Sequence, residues 1–525
     1  MKIDKKDFAS LIFLMLIFWA GVLREVNLPG IYMDAVNPDY LAAQTLYPGI
    51  QNPSWKIPTA IFPILGNLYH GVQNYYIDLA IFNVLGISVT SIRIAQAVFG
   101  ATIVALLYFL GVLITRNRFV SFTTAALLAT EIAFLASFRT QFYIILGAET
   151  WLFASLVAMH NGRRAGDFLS GVFYGLSIYS YFVMGFFGPA LLVLLFNRNH
   201  KRPRYWFVGL LIGLLPYLVG YVSAIVALGG VDQFAAWAHV AINGLAPLSS
   251  NLSFIGRIFY VAQMAYLAIS NGGNDLMIFG SYLVGNWPTI KSAFFIIVFV
   301  ILAFKIHRKG PYLYTLLPLS YLAIAAIFGN RLWVHHFSVL VPISYLLLLI
   351  VLADLAKNKI RTVLISLFSI TYAILNIVQC NDFFLELNRT GGTGKYSHAL
   401  TRLAENALSV PKVLYVFPEW GFFMPFDLLT ENKVHYILDL NGINNIKDNF
   451  DYIDITSWTL SGAQKYVAAL KADGLTSVSV ETYRGRNYRT AFYLVNGVVQ
   501  RKKLTAHIIK EQFAKPSRAA AVEVK

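Results

Sequence analysis

The chain has 525 residues, of which 57% are hydrophobic and 13% charged, and its mean hydropathy is +0.60. This is too little polar surface to cover a soluble globule of that size, so a lipid bilayer must solvate much of the chain. The net charge of +16 lies mostly in short basic clusters between apolar runs, a pattern that marks membrane topology rather than a nucleic-acid-binding surface. Cys380 is the sole cysteine, which excludes an internal disulfide framework and a cysteine-rich metal site.

Nine apolar stretches come close to or exceed the length that crosses a hydrocarbon core of about 30 Å. In chain order they are residues 8–24, 92–114, 120–137, 142–159, 205–227, 290–306, 312–328, 334–352 and 362–378. Residues 169–196 are too long for one ordinary span and are interrupted at residues 179–181, so they predict two short helices that meet at one membrane face. The sequence therefore predicts about eleven transmembrane helices.

Clusters of lysine and arginine in short loops mark the cytoplasmic face of a membrane protein. With eleven spans all of these clusters fall on one face; they are Lys2 with Lys5 and Lys6, Arg116 with Arg118, Arg163 with Arg164, Arg198 with Lys201, Arg202 and Arg204, Lys305 with Arg308 and Lys309, and Lys357 with Lys359 and Arg361. We therefore expect a multi-pass protein of the cytoplasmic (inner) membrane, with the N-terminus inside and the segment after residue 378 outside. The alternative that the first span is a cleaved signal peptide is disfavoured, because the span is long and lacks a clear small-x-small cleavage site.

Residues 1–380 are predicted to form the membrane domain, which has two long outward segments. The first, 25–91, is far longer than a turn requires and is rich in proline, so we expect short helices that lie at the membrane interface. The second, 228–289, contains the partly apolar stretch 254–269, which is predicted to be an interfacial or re-entrant helix because a span there would break the charge parity.

Residues 381–525 change sharply in composition and are predicted to form an extracytoplasmic α/β domain. Strand-like runs at 412–417, 434–438, 476–480 and 490–495 alternate with helix-like stretches at 397–408 and 461–472, the latter closed by Gly474. The predicted fold class is thus a polytopic α-helical membrane protein with a C-terminal soluble α/β domain.

The densest polar signal is the string of residues 30–40, which directly follows the first span and contains Asp34 and Asp39. A carboxylate that is partly removed from water at a membrane face has the properties of a general base for a hydroxyl nucleophile. The alternative is that either acid caps an interfacial helix that begins near Tyr40, and Asp39 is well placed for that role.

Basic residues on the outward face form a second signal, because they oppose the positive-inside bias. They are Arg24, Arg93, Arg139, Arg257 and Arg331, with His335 and His336. Arginine matches a phosphate with a planar fork of donors, so such residues at the outer interface suit a lipid phosphate or pyrophosphate. Snorkelling or pairing with lipid headgroups is the alternative, and it is preferred for Arg24 and Arg257.

From about residue 29 to 352 the chain resembles the bacterial polytopic glycosyltransferases of the GT-C superfold. It is similar to the glycosyltransferase family 39-like group of dolichyl-phosphate-mannose protein mannosyltransferases and lipid A aminoarabinose transferase. Four stretches carry the resemblance, in this order: residues 32–40, residues 75–76 with 85–93, residues 171–181 and residues 335–342.

This resemblance implies a donor in which a sugar is linked to a polyprenyl phosphate, and a catalytic base in the first outward loop. Asp34 is the first candidate for the base, and Asp39 either orients the acceptor or is itself the base. The adjacent Asp-Glu pair usual in the family is absent here, because Ala35 follows Asp34. The resemblance also implies that Arg93, Arg139 and Arg331, with His335 and His336, gather around the donor phosphate.

The predicted function is therefore transfer of a sugar from a polyprenyl phosphate to a cell-envelope acceptor (a glycan, a lipid or a protein) on the extracytoplasmic face. No metal-binding cluster of histidine or cysteine is visible and no cofactor is predicted, although a divalent metal is left open. The alternative is a polytopic transporter or flippase for a lipid-linked sugar. Such a protein would carry ionisable residues near the bilayer midplane, where Glu131 and Glu149 are the main ones found.

Overall fold

Apolar helices make up most of the molecule. A computed structural model describes residues 4–47, 64–161, 163–197, 202–245, 252–283, 285–440, 450–472, 475 and 477–499. The helices of the first half are α1 Lys5–Val22, α2 Met33–Leu46, α3 Gln73–Leu85, α4 Val89–Thr115, α5 Arg118–Ala129, α6 Ile132–Leu135, α7 Phe142–Met159, α8 Arg164–Ser180, α9 Gly188–Phe196 and α10 Pro203–Leu228. Those that follow, up to the C-terminal domain, are α11 Val231–Leu245, α12 Phe254–Ile269, α13 Gly272–Phe279, α14 Trp287–Lys305, α15 Leu316–Phe328, α16 Leu340–Leu355 and α17 Lys359–Thr390.

Within the described residues, seven helical segments are long and apolar enough to cross a membrane. An eighth is added if α5 and the segment Ile132–Arg139, which meet at a bend of 59°, form one broken span. The predicted total of eleven would also require α1, α8 and the apolar segment Phe182–Phe196, which do not meet the same length and composition criteria. The multi-pass architecture is therefore confirmed, whereas the count of eleven stays a prediction.

The predicted break within residues 169–196 is present. Helix α8 ends at Ser180, Tyr181 is extended, and a short 3-10 helix, Phe182–Phe187, leads into α9. Helix α8 packs against α10 at backbone contact, since a Cβ atom at Gly171 would lie 2.0 Å from the carbonyl oxygen of Trp206. Small residues allow this close approach, which fixes the end of α8 and with it Tyr181.

The first outward segment contains two short helices, α2 and α3, as the sequence predicts. Helix α2 begins at Met33, so Asp34 lies in its first turn and Asp39 lies within it. The alternative in which Asp39 caps a helix that begins near Tyr40 is therefore wrong. In the second outward segment, α12 coincides with the predicted 254–269 helix and is preceded by α11 and followed by α13.

The C-terminal domain is a mixed sheet with helices, as predicted. Its helices are α18 His398–Ser409, α19 Phe423–Thr430 and α20 Leu460–Ala472, and its strands are β3 Val413–Val416, β4 Tyr436–Ile437, β5 Tyr452–Ser457, β6 Val478–Arg484 and β7 Thr490–Val498. Strands β1 Leu65–Asn67 and β2 His70–Gly71 form a separate hairpin in the first outward segment. The strand order is β4-β3-β5-β7-β6, with β3 parallel to both β4 and β5, and β7 antiparallel to both β5 and β6. The central strand β5 and helix α19 were not predicted, and Gly474 lies outside the described residues.

Helix α17 joins the two domains. It continues without a break to Thr390 and ends at Gly391, whose left-handed backbone (φ 68°) terminates the helix. The predicted domain boundary at residue 380 therefore falls inside this helix. Beyond it the C-terminal domain packs on the first outward segment, because Val36 and Tyr40 of α2 share one hydrophobic core with Leu400 of α18 and Phe426 of α19.

Candidate active site

Asp34 lies at the junction of the membrane domain and the C-terminal domain. It occupies the first turn of α2, where the helix dipole favours a negative charge. Its side chain is hydrogen-bonded to Tyr32 and to Trp420, and the charge of Lys395 acts on it. Burial raises the pKa of Asp34 above its ordinary value, while the two hydrogen bonds and Lys395 act in the opposite direction. The carboxylate is thus partly desolvated but supported in its ionised form.

Three tyrosines lie within electrostatic reach of the Asp34 carboxylate. Its charge acts on the hydroxyl groups of Tyr69, Tyr181 and Tyr396. Burial, followed by the field of Asp34, raises the pKa of Tyr69 to about 12. These hydroxyls therefore stay protonated at neutral pH and can serve as hydrogen-bond donors to a bound substrate.

Tyr181 connects this group to the two predicted histidines. Its hydroxyl lies 3.2 Å from Nε2 of His336, whose Nδ1 accepts a 2.9 Å hydrogen bond from the backbone N–H of Trp333. The rings of His335 and His336 are 4.0 Å apart, and Nδ1 of His335 lies 3.0 Å from Nε2 of Gln141. Nδ1 of His336 also lies 3.1 Å from the carbonyl oxygen of Trp333, so this nitrogen has both a backbone donor and a backbone acceptor within reach. A neutral imidazole carries one donor and one acceptor nitrogen, so each histidine can present either to its neighbours.

Arg93 is buried in the first turns of α4 and interacts with Tyr396, one of the tyrosines near Asp34. Its guanidinium donates to Oε1 of Gln96 at 3.2 Å and to the carbonyl oxygen of Phe138 at 3.3 Å. It also lies within electrostatic reach of Tyr396 and Asp39. Its Nε and Nη2 atoms are buried and have no hydrogen-bond partner among the described residues. Buried guanidinium donors are nearly always satisfied, so these two donors are suited to an anion.

Asp39 points away from Asp34, into the packing between α2, α3 and α4. It is fully buried and accepts a 2.8 Å hydrogen bond from the Tyr143 hydroxyl and a 3.4 Å bond from Gln96. Its carboxyl is hydrogen-bonded to that of Asp78 on α3. Burial raises the pKa of Asp39 to about 6, and burial together with the charge of Asp39 raises the pKa of Asp78 well above its ordinary value. We therefore expect the two carboxyls to share a proton.

This shared proton makes stability depend on pH. Both pKa values are higher in the folded than in the unfolded protein, so the folded state binds more protons, and its stability falls as pH rises from about 4 through these values. We expect Asp78→Asn to lose less thermal stability than the wild type between pH 5 and pH 8, because an amide N–H replaces the shared proton. Melting temperatures of the detergent-purified protein test this, with the exposed Asp232→Asn as control. Equal pH dependence in Asp78→Asn and the wild type would contradict a shared proton.

Arg139 does not join the site in the way the sequence suggests. Its Nη1 donates to the carbonyl oxygens of Glu25 (2.7 Å) and Leu28, and its Nη2 to those of Val22 (3.0 Å) and Arg24. The guanidinium also stacks on Phe384. Four donor contacts therefore satisfy carbonyls in the last residue of α1 and in the segment that follows it. Of the nitrogens of this guanidinium, Nε has no partner among the described residues. These contacts are structural, at the end of a helix, and the predicted contact of Arg139 with the phosphate stays a prediction that they do not support.

Arg331 lies at the exposed end of the short 3-10 helix that follows α15, four residues before His335 on the same connection. Arg331 therefore shares a connection between helices with the two histidines, whereas Arg93 belongs to α4. Among the described residues no cluster of three or more histidine, cysteine, aspartate or glutamate side chains could hold a metal ion.

One of the two ionisable residues that the sequence places near the bilayer midplane is neutralised. Glu131, at the bend between α5 and α6, forms a buried ion pair with Lys291 of α14, whose Nζ lies 2.5 Å from Oε1. The Tyr345 hydroxyl donates to the other oxygen at 2.6 Å, and Lys291 also donates to Gln379 at 3.1 Å. This network ties α5, α14, α16 and α17 together.

Several residues of the site were missed by sequence reasoning. Asp78 is the one charged residue in α3, and that isolation was a usable signal. Lys395, Tyr396 and Trp420 belong to the C-terminal part of the chain and carry no local mark of their contact with Asp34. They reach Asp34 only because the C-terminal domain packs on α2.

Two of three comparisons with known proteins found matches to this chain. Residues 70–222 match the sequence profile of the family described as dolichyl-phosphate-mannose-protein mannosyltransferase. Among curated protein sequences none matches the chain significantly. Among solved structures, the chain is similar to ArnT from Cupriavidus metallidurans bound to undecaprenyl phosphate, with a TM-score of 0.60 and 13% identity over 94% of this chain and 98% of that one.

A second solved structure is the archaeal oligosaccharyltransferase AglB from Archaeoglobus fulgidus, in complex with an inhibitory peptide and a dolichol-phosphate. The TM-score is 0.50 and the identity 12%, over 89% of this chain and 70% of that chain. At such identities the likeness establishes the fold, and it does so over nearly the whole chain.

Proposed function

We propose that this membrane glycosyltransferase of the GT-C fold moves a sugar from a polyprenyl-phosphate donor to a cell-envelope acceptor, at the extracytoplasmic face of the inner membrane. The observation that carries the proposal is the partly desolvated carboxylate of Asp34, which lies beside a linked set of phosphate-compatible donors. Both structural neighbours were solved with a polyprenyl phosphate, dolichol-phosphate in AglB and undecaprenyl phosphate in ArnT. That shared ligand supports the donor class.

Asp34 is the proposed general base. Its side chain is only partly buried, whereas Asp39 is fully enclosed and its carboxyl is bonded to Tyr143, Gln96 and Asp78. A base must reach the proton that it removes, and this favours Asp34. Asp39 then acts at a distance, by holding α2 against α3 and α4.

The donor phosphate is proposed to bind Arg93, His335 and His336, with Arg331 at the outer edge of the site. Arg93 offers two buried donors without a partner among the described residues, and His336 is linked to the same site through the Tyr181 hydroxyl, with His335 stacked beside it. Charge-assisted bonds from a guanidinium suit the oxygens of a phosphate. Arg139 is left out because its donors are engaged by backbone carbonyls.

The reaction then follows from the positions of these charges. The acceptor hydroxyl loses its proton to Asp34 as its oxygen forms a bond to the anomeric carbon of the sugar. On the opposite side the bond between that carbon and the phosphate oxygen breaks, and the polyprenyl phosphate leaves with the electron pair. The donors around Arg93 stabilise the negative charge that develops. A single displacement of this kind inverts the anomeric centre.

The distribution of charge supports the extracytoplasmic face. Arg93 lies near one end of α4 and Arg116 directly follows the other end, so this helix of 27 residues separates them by roughly 35 Å. Arg116 and Arg118 form one of the basic clusters that mark the cytoplasmic side. Asp34 and Arg93 therefore belong to the outward end of the bundle.

We expect Arg93→Met to weaken donor binding by about 10- to 100-fold, which corresponds to the loss of a charge-assisted bond of about 1.5–3 kcal/mol. The loss should appear in KM for the donor more than in kcat, and binding of the polyprenyl phosphate alone should weaken equally. Arg257→Met, at the exposed start of α12, is the control for removal of an outward arginine. Unchanged affinity for the polyprenyl phosphate would remove Arg93 from the donor site.

The function itself is tested by supplying radiolabelled polyprenyl-phosphate sugars to the purified protein in lipid vesicles that contain cell-envelope acceptors. Transfer of label with release of polyprenyl phosphate is the expected result. Mass spectrometry of cell-surface glycans with and without the protein identifies the product. Movement of an intact lipid-linked sugar across the vesicle, with no bond broken, would instead establish the transporter alternative.

A further inference from the structure

The C-terminal domain reaches Asp34 through the loop that follows β3. Trp420 of this loop is hydrogen-bonded to the Asp34 side chain. The next residue, Gly421, has φ 111°, and a Cβ atom there would lie 3.2 Å from the ring of Tyr32. The loop therefore packs directly on the first residues of α2.

This loop is held firmly by its own domain. The Glu419 carboxylate accepts hydrogen bonds from the Ser457 hydroxyl at 2.6 Å and from the backbone N–H of Trp458 at 2.8 Å. The Trp458 indole N–H donates to the carbonyl oxygen of Trp420 at 2.9 Å, and its ring stacks on Phe422 with centroids 3.9 Å apart. Trp420 is thus fixed by contacts on both sides of it.

A second contact comes from the short 3-10 helix Gly394–Tyr396, which follows α17. Lys395 places its ammonium group 5.3 Å from the centre of the Tyr32 ring, and Tyr396 packs on the same ring at 5.3 Å between centroids. The charge of Lys395 acts on Asp34. Within the part of the chain that the structure describes, the other groups that interact with Asp34 are uncharged, namely Tyr32, Tyr69, Tyr181, Tyr396 and Trp420.

We propose that the C-terminal domain completes the catalytic site: Trp420 positions the carboxylate of Asp34, and Lys395 supplies the positive charge beside it. The inference deepens the proposed function, because it rests on Asp34 as the base. Both residues are positioning residues, since they act through Asp34. If the domain moves away from α2, the base loses a hydrogen-bond donor and its nearby cation together, so the site is complete only while the two domains are docked.

The experiment follows the protonation of Asp34 directly. Infrared difference spectra of the full-length protein in lipid, recorded across pH, contain a band from the protonated carboxyl that is assigned by its absence in Asp34→Asn. An indole N–H and a nearby ammonium both favour the ionised carboxylate, so removing either raises the titration midpoint. We expect Trp420→Phe and Lys395→Gln each to shift the midpoint upward by about 0.5–1 pH unit, with Lys395→Arg close to the wild type.

Trp287→Phe is the matched control, because it removes an indole N–H that donates to Asn376 at 3.3 Å, away from Asp34 and from the loop that holds Trp420. Its midpoint should equal that of the wild type. The acid limb of the kcat/KM profile should shift with the infrared midpoint in Trp420→Phe and Lys395→Gln. Midpoints that stay at the wild-type value in both variants would overturn the inference. A shifted midpoint in a protein that transfers no sugar would retain the inference and defeat the proposed function.

Discussion

Asp34→Asn should lose sugar transfer by about 10²- to 10⁴-fold, the range that a general base contributes. The amide keeps the size of the side chain and can still accept a hydrogen bond from Trp420, but it cannot take a proton from the acceptor. The loss should fall on kcat, while binding of the polyprenyl phosphate stays close to that of the wild type. Transfer from a radiolabelled donor and separate measurement of lipid binding distinguish the two effects.

Asp39→Asn is the comparison that decides between the two acids. Its carboxyl is enclosed by Tyr143, Gln96 and Asp78, and an amide can accept the Tyr143 hydrogen bond in its place. We expect this variant to retain most of the activity. A loss in Asp39→Asn as large as that in Asp34→Asn would move the catalytic base to Asp39, and full activity in both variants would defeat the mechanism.

The largest effect on stability is expected from Lys291→Met. Lys291 and Glu131 are both fully buried, and the substitution leaves the Glu131 carboxylate without its cation. Breaking a buried pair by removing one partner costs about 3–5 kcal/mol. The melting temperature of the detergent-purified protein should therefore fall sharply, and the protein should aggregate at lower temperature.

Two further variants make this result specific. Lys305→Met breaks an ion pair of similar length, 2.6 Å to Asp354, that is partly exposed, and such pairs contribute about 0–1 kcal/mol. The double substitution of Glu131→Gln with Lys291→Met removes both charges and should recover most of the lost stability. If Lys291→Met is no less stable than Lys305→Met, the ion pair does not hold the four helices together.

The candidate site shows how far local patterns reach. Asp34 was identifiable because an acid directly after a first span is unusual, and Arg93 because it opposes the charge bias. Asp39 has the same local signature as Asp34, but five residues along an α-helix correspond to a rotation of about 140°. Once α2 is known to begin at Met33, the two acids must point to different sides, and the sequence placed that helix start too late.

Arg93 and Arg139 illustrate the same limit. Each is an arginine at the outward end of a predicted span, and no local pattern separates them. The difference arises because the chain after α1 turns its carbonyls towards Arg139, which uses up the donors of that guanidinium. The hydrogen-bond partners of a buried arginine therefore depend on how distant segments pack, and the local sequence does not specify them.

The sequence by itself determined the membrane class, most of the helices, the C-terminal α/β domain and the position of the candidate acids. These follow from hydropathy and charge, which are local properties that decide whether each stretch of chain partitions into lipid. Tertiary structure alone decided that Tyr181 joins Asp34 to His336, that Asp39 pairs with Asp78, and that Lys395 and Trp420, which lie 361 and 386 positions further along the chain, reach Asp34. These contacts depend on how helices and domains dock, and docking is set by complementary surfaces that no single stretch of sequence contains.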